Sequence, residues 1–375
     1  MGCAMGDRQR NGRWGWMVVT GGLVLTGVAG LAAYKHQDLL AAWNVHQLPQ
    51  AQTDQRLAIT EQLAQNPSVS TGWILYSLSQ ATEPEEASVF AEALMRTSRD
   101  MDAEQLDPHI SRAASLFKSM EPDAQAETLR WLATALNAGD PETMTERRSA
   151  AIRRLMDQAY VGEEPEVKAG ALRLSGPILK QRPPAEVVES LKLLVSSGAR
   201  SDSARVQIQA ITAALWPALD CLEETTVCLK SQHREVRKAA ILALGPATEK
   251  INEEILLPGL HDEDLEIVQL TQSALQARGL RDDQIRLGKL MADPKPTKRL
   301  EVLDHLSATR DIDPALWLRK LSNDPSPAVR AAAMRAMAQE TGGELGERVG
   351  QMGKSDPSES VNKLAGYYGA PKMER

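Results

Sequence analysis

From Thr53 to the end of the chain, apolar residues recur at spacings of three and four, and short turns separate these stretches. That period marks one face of an amphipathic helix, whereas a half-buried strand alternates with a period of two, and no such alternation is evident. The predicted fold is all-α. The far half also repeats itself. Segments related to Glu235-Val236-Arg237-Lys238-Ala239-Ala240-Ile241-Leu242-Ala243-Leu244-Gly245 begin at Val167, Val206, Val236, Ile267, Lys298, Val329 and Val361, at intervals of 39, 30, 31, 31, 31 and 32 residues. Periods of about 20–50 residues signal solenoids or arrays.

The register has internal structure. Asp262, Asp293, Asp324 and Asp356 each stand five residues before a segment start, and Pro294, Pro325 and Pro357 follow the last three. Asp near a helix start accepts backbone N–H bonds and favours the positive end of the helix dipole, and Pro is tolerated there. Four residues after the starts sit Ala171, Ala210, Ala240, Thr271, Val302, Ala333 and Ala365. Mostly small residues at one helical position let a neighbouring helix approach closely. A second helix fits between copies, at Cys221–Ser231, Asn252–Gly259, Asp283–Met291, Pro314–Leu321 and Glu344–Met352. One such helical hairpin cannot bury its apolar stripe alone and must stack on the next, which predicts an α-solenoid.

The segments Asp324-Pro325-Ser326-Pro327-Ala328-Val329-Arg330-Ala331-Ala332-Ala333 and Glu235-Val236-Arg237-Lys238-Ala239-Ala240 resemble HEAT repeats, in particular the short repeats of the phycobilisome-lyase group. The resemblance covers 164–370. It implies a ladder of turn Asp and following Arg between repeats, carried here by Asp262, Asp293, Asp324 and Asp356 with Arg237, Arg299 and Arg330. Ser231 replaces the Asp of one repeat and Val268 the Arg of another, so the ladder is expected to be interrupted. Residues 35–160 read as degenerate helical repeats of the same body or as a separate bundle, with Asp123–Ala138 and Thr143–Ala159 forming one hairpin. Residues 161–370 form the HEAT-like solenoid, and 371–375 a tail. Pro183-Pro184 falls in the longest interval, where a bend is expected.

The N-terminus departs from this pattern. Trp14 to Tyr34 is a run of 21 residues without a charge, close to the ~20 that span a bilayer core. Trp14, Trp16 and Tyr34 sit at its ends, where amphipathic rings favour the headgroup level. Arg8, Arg10 and Arg13 precede it, so the positive-inside bias predicts a short cytoplasmic N-terminus, 1–13, and a body outside the cytoplasm, periplasmic in a bacterium. The run reads as a retained signal anchor, 14–34. The other reading is a cleaved signal peptide, with Gly30 and Ala32 near the cut.

Aromatic residues are only 4% of the chain, which argues against a β-sandwich or barrel. The formal net charge of −7 divides into +3 over residues 1–35 and −10 over the rest, and gives no reason to expect nucleic acid as a partner. Three cysteines exclude a disulfide framework.

The search for chemistry finds no catalytic constellation, no cofactor motif and no metal signature. Of six histidines, His233, His261 and His305 fall on different phases of the repeat, and the chain lacks the His-Glu pairs of HEAT-like iron hydroxylases. His261-Asp262-Glu263-Asp264 is the densest set of metal-binding side-chain types, but it reads better as a solvated turn, since Asp262 is the repeat's own turn residue. Arg147, Arg148, Arg153 and Arg154 form the one basic concentration. Acidic neighbours on the same helix favour a solvated, paired face over an anion site.

The resulting expectation is a membrane-anchored scaffold in the cell envelope that binds a protein or peptide on a concave face built from the second helices. Glu253, Glu254, Asp283, Arg319 and Lys320 are the expected contacts. The alternative, implied by the resemblance, is a lyase-type HEAT enzyme or accessory acting on a cofactor-bearing protein.

Overall fold

The computed structural model describes residues 36–138, 144–308, 313–339 and 343–369. Every element among them is helical, and no strand occurs. The expected cytoplasmic segment 1–13, the anchor at 14–34 and the tail 371–375 lie outside the described residues. None of the described helices is long and apolar enough to cross a membrane.

Packing divides the chain into two units, Met1–Cys221 and Leu222–Arg375. In the first, helices contact the next element and the next but one, so that Pro67–Gln80, Pro84–Thr97, Ala103–Leu116, Pro122–Ala138 and Glu146–Val161 alternate between two layers. Pro at the first helical position starts several of them, where its missing N–H has no intrahelical partner to lose. Trp131 is fully buried between the layers, and its indole N–H donates to Ser98 Oγ at 2.8 Å. Helix Glu146–Val161 runs through position 160, and its neighbours on both sides pack within the same unit.

In the second unit, helices Arg234–Leu244, Leu265–Ala277, Pro296–Ala308, Pro327–Gln339 and Glu359–Gly369 begin 31 or 32 residues apart. The small position of the register is buried throughout the chain: Ala171, Ala210, Ala240, Thr271, Val302, Ala333 and Ala365 expose at most 1% of their surface. Gly259 shows why it must be small. A Cβ added there would stand 2.5 Å from Thr271 Oγ1, so the two elements meet with no room for a methyl group. Towards the C-terminus the core is rich in methionine, with Met334, Met337 and Met352 packed among Leu318, Leu345, Val349 and Val361.

Helices Asp282–Met291, Pro314–Leu321 and Gly343–Ser355 occupy second positions, but the two earlier ones depart from expectation. Leu222–Lys230 is a 3-10 helix, and so are Glu253–Ile255 and Leu257–His261. Thr225 and Thr226 turn their hydroxyls onto the carbonyls of Leu222 and Glu223, three residues back. Pro258 has no N–H to give the Glu254 carbonyl, so an α-helix over 252–259 would lack that bond. Both features favour short, tight turns over α-helix.

Candidate functional site

The turn aspartates organise the second unit. Each accepts the backbone N–H two residues on: Asp262 from Asp264, Asp293 from Lys295, Asp324 from Ser326 and Asp356 from Ser358, at 2.7–2.9 Å. The other carboxylate contacts come from the preceding repeat. Arg237 meets Asp262 at 2.7 Å, Arg299 meets Asp324 at 2.7 Å and Arg330 meets Asp356 at 2.8 Å. Each guanidinium also donates to a carbonyl of its own turn, Ser231, Asp293 and Asp324 respectively. One arginine therefore ties two successive turns together. Position 268 is Val, and among the described residues no arginine pairs with the Asp293 carboxylate; His261 Nδ1 stands 3.9 Å from it instead.

Electrostatics follow the geometry. Burial raises the Asp262 carboxyl, but the hydrogen bonds from Arg237 and the Asp264 amide outweigh it and leave it below the usual range. Arg330 holds Asp356 low against the opposing effect of burial. In the run 261–264, Asp262 turns to Arg237, Asp264 to Arg234, and His261 Nε2 lies 2.6 Å from the Lys289 carbonyl. These side chains are spoken for by different partners.

Arg278 was not singled out by any motif. Its guanidinium donates to the carbonyls of Leu244, Gly245 and Ile251, each at 2.7 Å, and closes the end of helix Arg234–Leu244. Its own helix ends in a left-handed turn at Gly279, with φ 91°. The Leu280 amide bonds the Leu275 carbonyl and the Gly279 amide that of Gln276, a Schellman arrangement.

That turn delivers Leu280 to the side of a groove of about 520 Å³. Its walls come from the second elements of three successive repeats. Leu257 and Pro258 form one side, Gln284, Gly288 and Met291 the floor, and Leu316, Trp317 and Lys320 the other side. Gly288 lets Leu257 pack closely against it, since a Cβ there would stand 2.6 Å from Leu257 Cδ2 and push that side chain aside. Glu253 and Glu254 line the rim. Lys320 Nζ lies 2.5 Å from Glu254 Oε1 and 5.5 Å from the centre of the Trp317 ring, so ion pair and cation–π contact fix it together.

Of the five expected contacts, Glu253, Glu254 and Lys320 meet at this groove. Asp283 and Arg319 do not. Asp283 pairs with Arg281 at 3.0 Å, and Arg319 with Glu344 at 2.6 Å beside a separate groove. Trp317 and Leu280 supply much of the apolar wall and were not anticipated. A Trp seven residues before the turn Asp324, with no counterpart at that phase of the other repeats, was the available signal.

In the first unit the basic concentration is split. Arg153 and Asp157 form an exposed pair at 3.8 Å, as a solvated face requires. Arg148 does not belong to that face. It is buried, and it bonds Asp107 at 2.6 Å, the Gln181 side chain at 3.1 Å and the Ala103 carbonyl at 2.9 Å. Its helix position points inward, opposite Arg153, because the helical repeat sets residues five apart on different faces.

No family model and no curated protein matches the chain. Among solved structures, an engineered protein from a structural genomics consortium is 18% identical, over 88% of this chain and 98% of that one, with a TM-score of 0.38, too low to bear on the fold.

Proposed function

We propose that the chain is a membrane-anchored α-solenoid of HEAT-like repeats that serves as a scaffold in the cell envelope and binds a protein or peptide partner. The observation that carries the binding reading is the groove between Glu253 and Lys320. It combines an apolar wall of Leu257, Leu280, Leu316 and Trp317 with carboxylates at the rim. Peptide sites characteristically pair a desolvated aromatic anchor with a polar edge that fixes orientation. The 31-residue register and the Arg–Asp rungs support the solenoid reading, since they repeat one contact between neighbours. The uncharged run 14–34 supports the anchor, and the flanking arginines support an extracytoplasmic body. An anchor raises the effective concentration of the groove for partners in the same membrane layer.

The test uses the full chain in its own membrane, with a photo-cross-linking residue at Leu316. An adduct with one defined polypeptide is expected, and Trp317→Ala should abolish it. The same residue at Lys363, on the exposed face of helix Glu359–Gly369, provides the background. Equal adducts from 316 and 363, or an adduct indifferent to Trp317→Ala, would sink the groove as the binding site.

A further inference from the structure

Residues 36–47 form one helix and are the first described residues after the uncharged run, which ends at Tyr34. Its inner side is ordinary: Ala41 and Val45 are buried against the first unit, followed by Leu48 in the next turn. Its outer side is not. Leu39 is 71% exposed, Leu40 47% and Trp43 60%. These three lie within one face of a 3.6-residue helix, with His36 and His46 on the same side. Leu and Trp side chains left in water at this density forfeit the burial that drives folding, so the face calls for a cover.

Two observations say what the cover is. The first is position. Leu39 and Trp43 follow the last residue of the uncharged run, Tyr34, by five and nine positions, so this helix is the first described element after the proposed anchor. The second is charge. The body carries −10, yet this face carries no carboxylate. Asp38 is the only acidic residue of the helix, and it turns aside: its Oδ1 accepts the Trp73 indole N–H at 2.7 Å. Trp73 in turn stacks edge-on against the half-exposed Tyr76, with ring centres 6.2 Å apart. Leu and Trp are the residue types that interfacial segments turn towards the bilayer, and no carboxylate stands on this face to oppose it.

We infer that helix 36–47 seats Leu39, Leu40 and Trp43 in the headgroup layer of the phospholipid bilayer, so that the first unit rests against the membrane instead of hanging from a free tether. The inference rests on the reading of 14–34 as an anchor. Anionic lipid is not its target, since the body is acidic; the contact is apolar and aromatic.

Site-directed spin labelling of the full chain tests it. Cys3, Cys221 and Cys228 are replaced by Ala, single cysteines are placed at Val24, Leu39, Leu40, Trp43 and Asp54, and each labelled chain is reconstituted in phosphatidylcholine vesicles. Circular dichroism checks that every variant is folded. Oxygen partitions into lipid and a nickel chelate into water. Labels at 24, 39, 40 and 43 are expected to show an oxygen-to-chelate collision ratio several-fold above that at 54. If 24 reads lipid while 39, 40 and 43 read water, the anchor stands and the seated helix is overturned. If 24 and the other three all read water, the anchor reading fails and the inference fails with it. If 39, 40 and 43 are shielded from both reagents, protein covers the face, whether another copy or residues 1–35, and the inference is overturned.

Discussion

Arg299 and Asp324 expose 9% and 4% of their side chains and hold each other through two hydrogen bonds. Removing one member leaves the other charge buried without its partner, which costs far more than the pair contributes by existing. Asp324→Ala is expected to lose about 3 kcal/mol or more, read from urea unfolding, whereas Arg153→Ala at the exposed pair should change stability by less than about 0.5 kcal/mol. Comparable losses would show that the turn network contributes nothing special. The lowered carboxyls of Asp262 and Asp356 add a pH dependence. A depressed carboxyl contributes stability that is present above its unfolded value, near 4, and is lost as pH falls through its folded value. Asp356→Asn should therefore be destabilised at pH 7 and lose its difference from the parent chain as pH falls below about 4, followed by circular dichroism in acid. The residues of these rungs were legible because Asp and Arg recur at one phase of a repeat, and their pairing was expected from the resemblance to HEAT repeats. The Arg148–Asp107 pair was not legible. Its 41-residue separation recurs in no other ion pair among the described residues, and a run of arginines gives no sign of which one turns inward. Arg278 was missed for a related reason: its partners are backbone carbonyls, which leave no trace in residue identity.

Elements meet closely where their facing residues are small. Gly259→Ala adds a methyl group 2.5 Å from Thr271 Oγ1 and 3.2 Å from its Cγ2, both on a β-branched side chain in a helix. Overpacking of this kind costs about 1–3 kcal/mol. Thr271→Ala should restore much of that loss in the double variant, because it removes the colliding atoms, and thermal unfolding of the four chains completes the cycle. An additive result would mean that the two residues do not share the contact. Helix existence and phase were readable at this scale from periodicity. The conversion of Leu222–Lys230 and 253–261 to 3-10 helix was not, since it depends on hydroxyl-to-carbonyl bonds and on one proline in the middle of an apolar stretch. The groove was half legible for the same reason. Glu253, Glu254 and Lys320 were found as charges on second helices, but Leu280 reaches the groove only through the turn at Gly279.

At the scale of the whole molecule, most contacts join elements that are adjacent or next but one in sequence. In a chain built this way stability is local, and damage in one repeat weakens its neighbours before distant ones. Asp324→Ala should therefore raise amide hydrogen exchange across Pro296–Ala308 and Pro327–Gln339 while helices Pro84–Thr97 and Pro122–Ala138 keep their protection. Uniform loss of protection over all four would point to a single cooperative unit instead. Length alone suggested two or three domains, and the repeat register suggested one continuous body; the packing divides after Cys221.

The rung missing at Val268 has a mechanical consequence. Arginine pairs act as stitches, and where they are present sliding one repeat past the next requires breaking two charge-assisted bonds together. Between the repeats of Asp262 and Asp293 the arginine pair gives way to His261, whose Nδ1 stands 3.9 Å from the Asp293 carboxylate and whose Nε2 lies 2.6 Å from the Lys289 carbonyl. Under tension or torsion the stack is most compliant at that joint, and the compliance lies beneath the groove that Leu257, Leu280 and Met291 line. A load applied across that joint would therefore widen or narrow the groove itself.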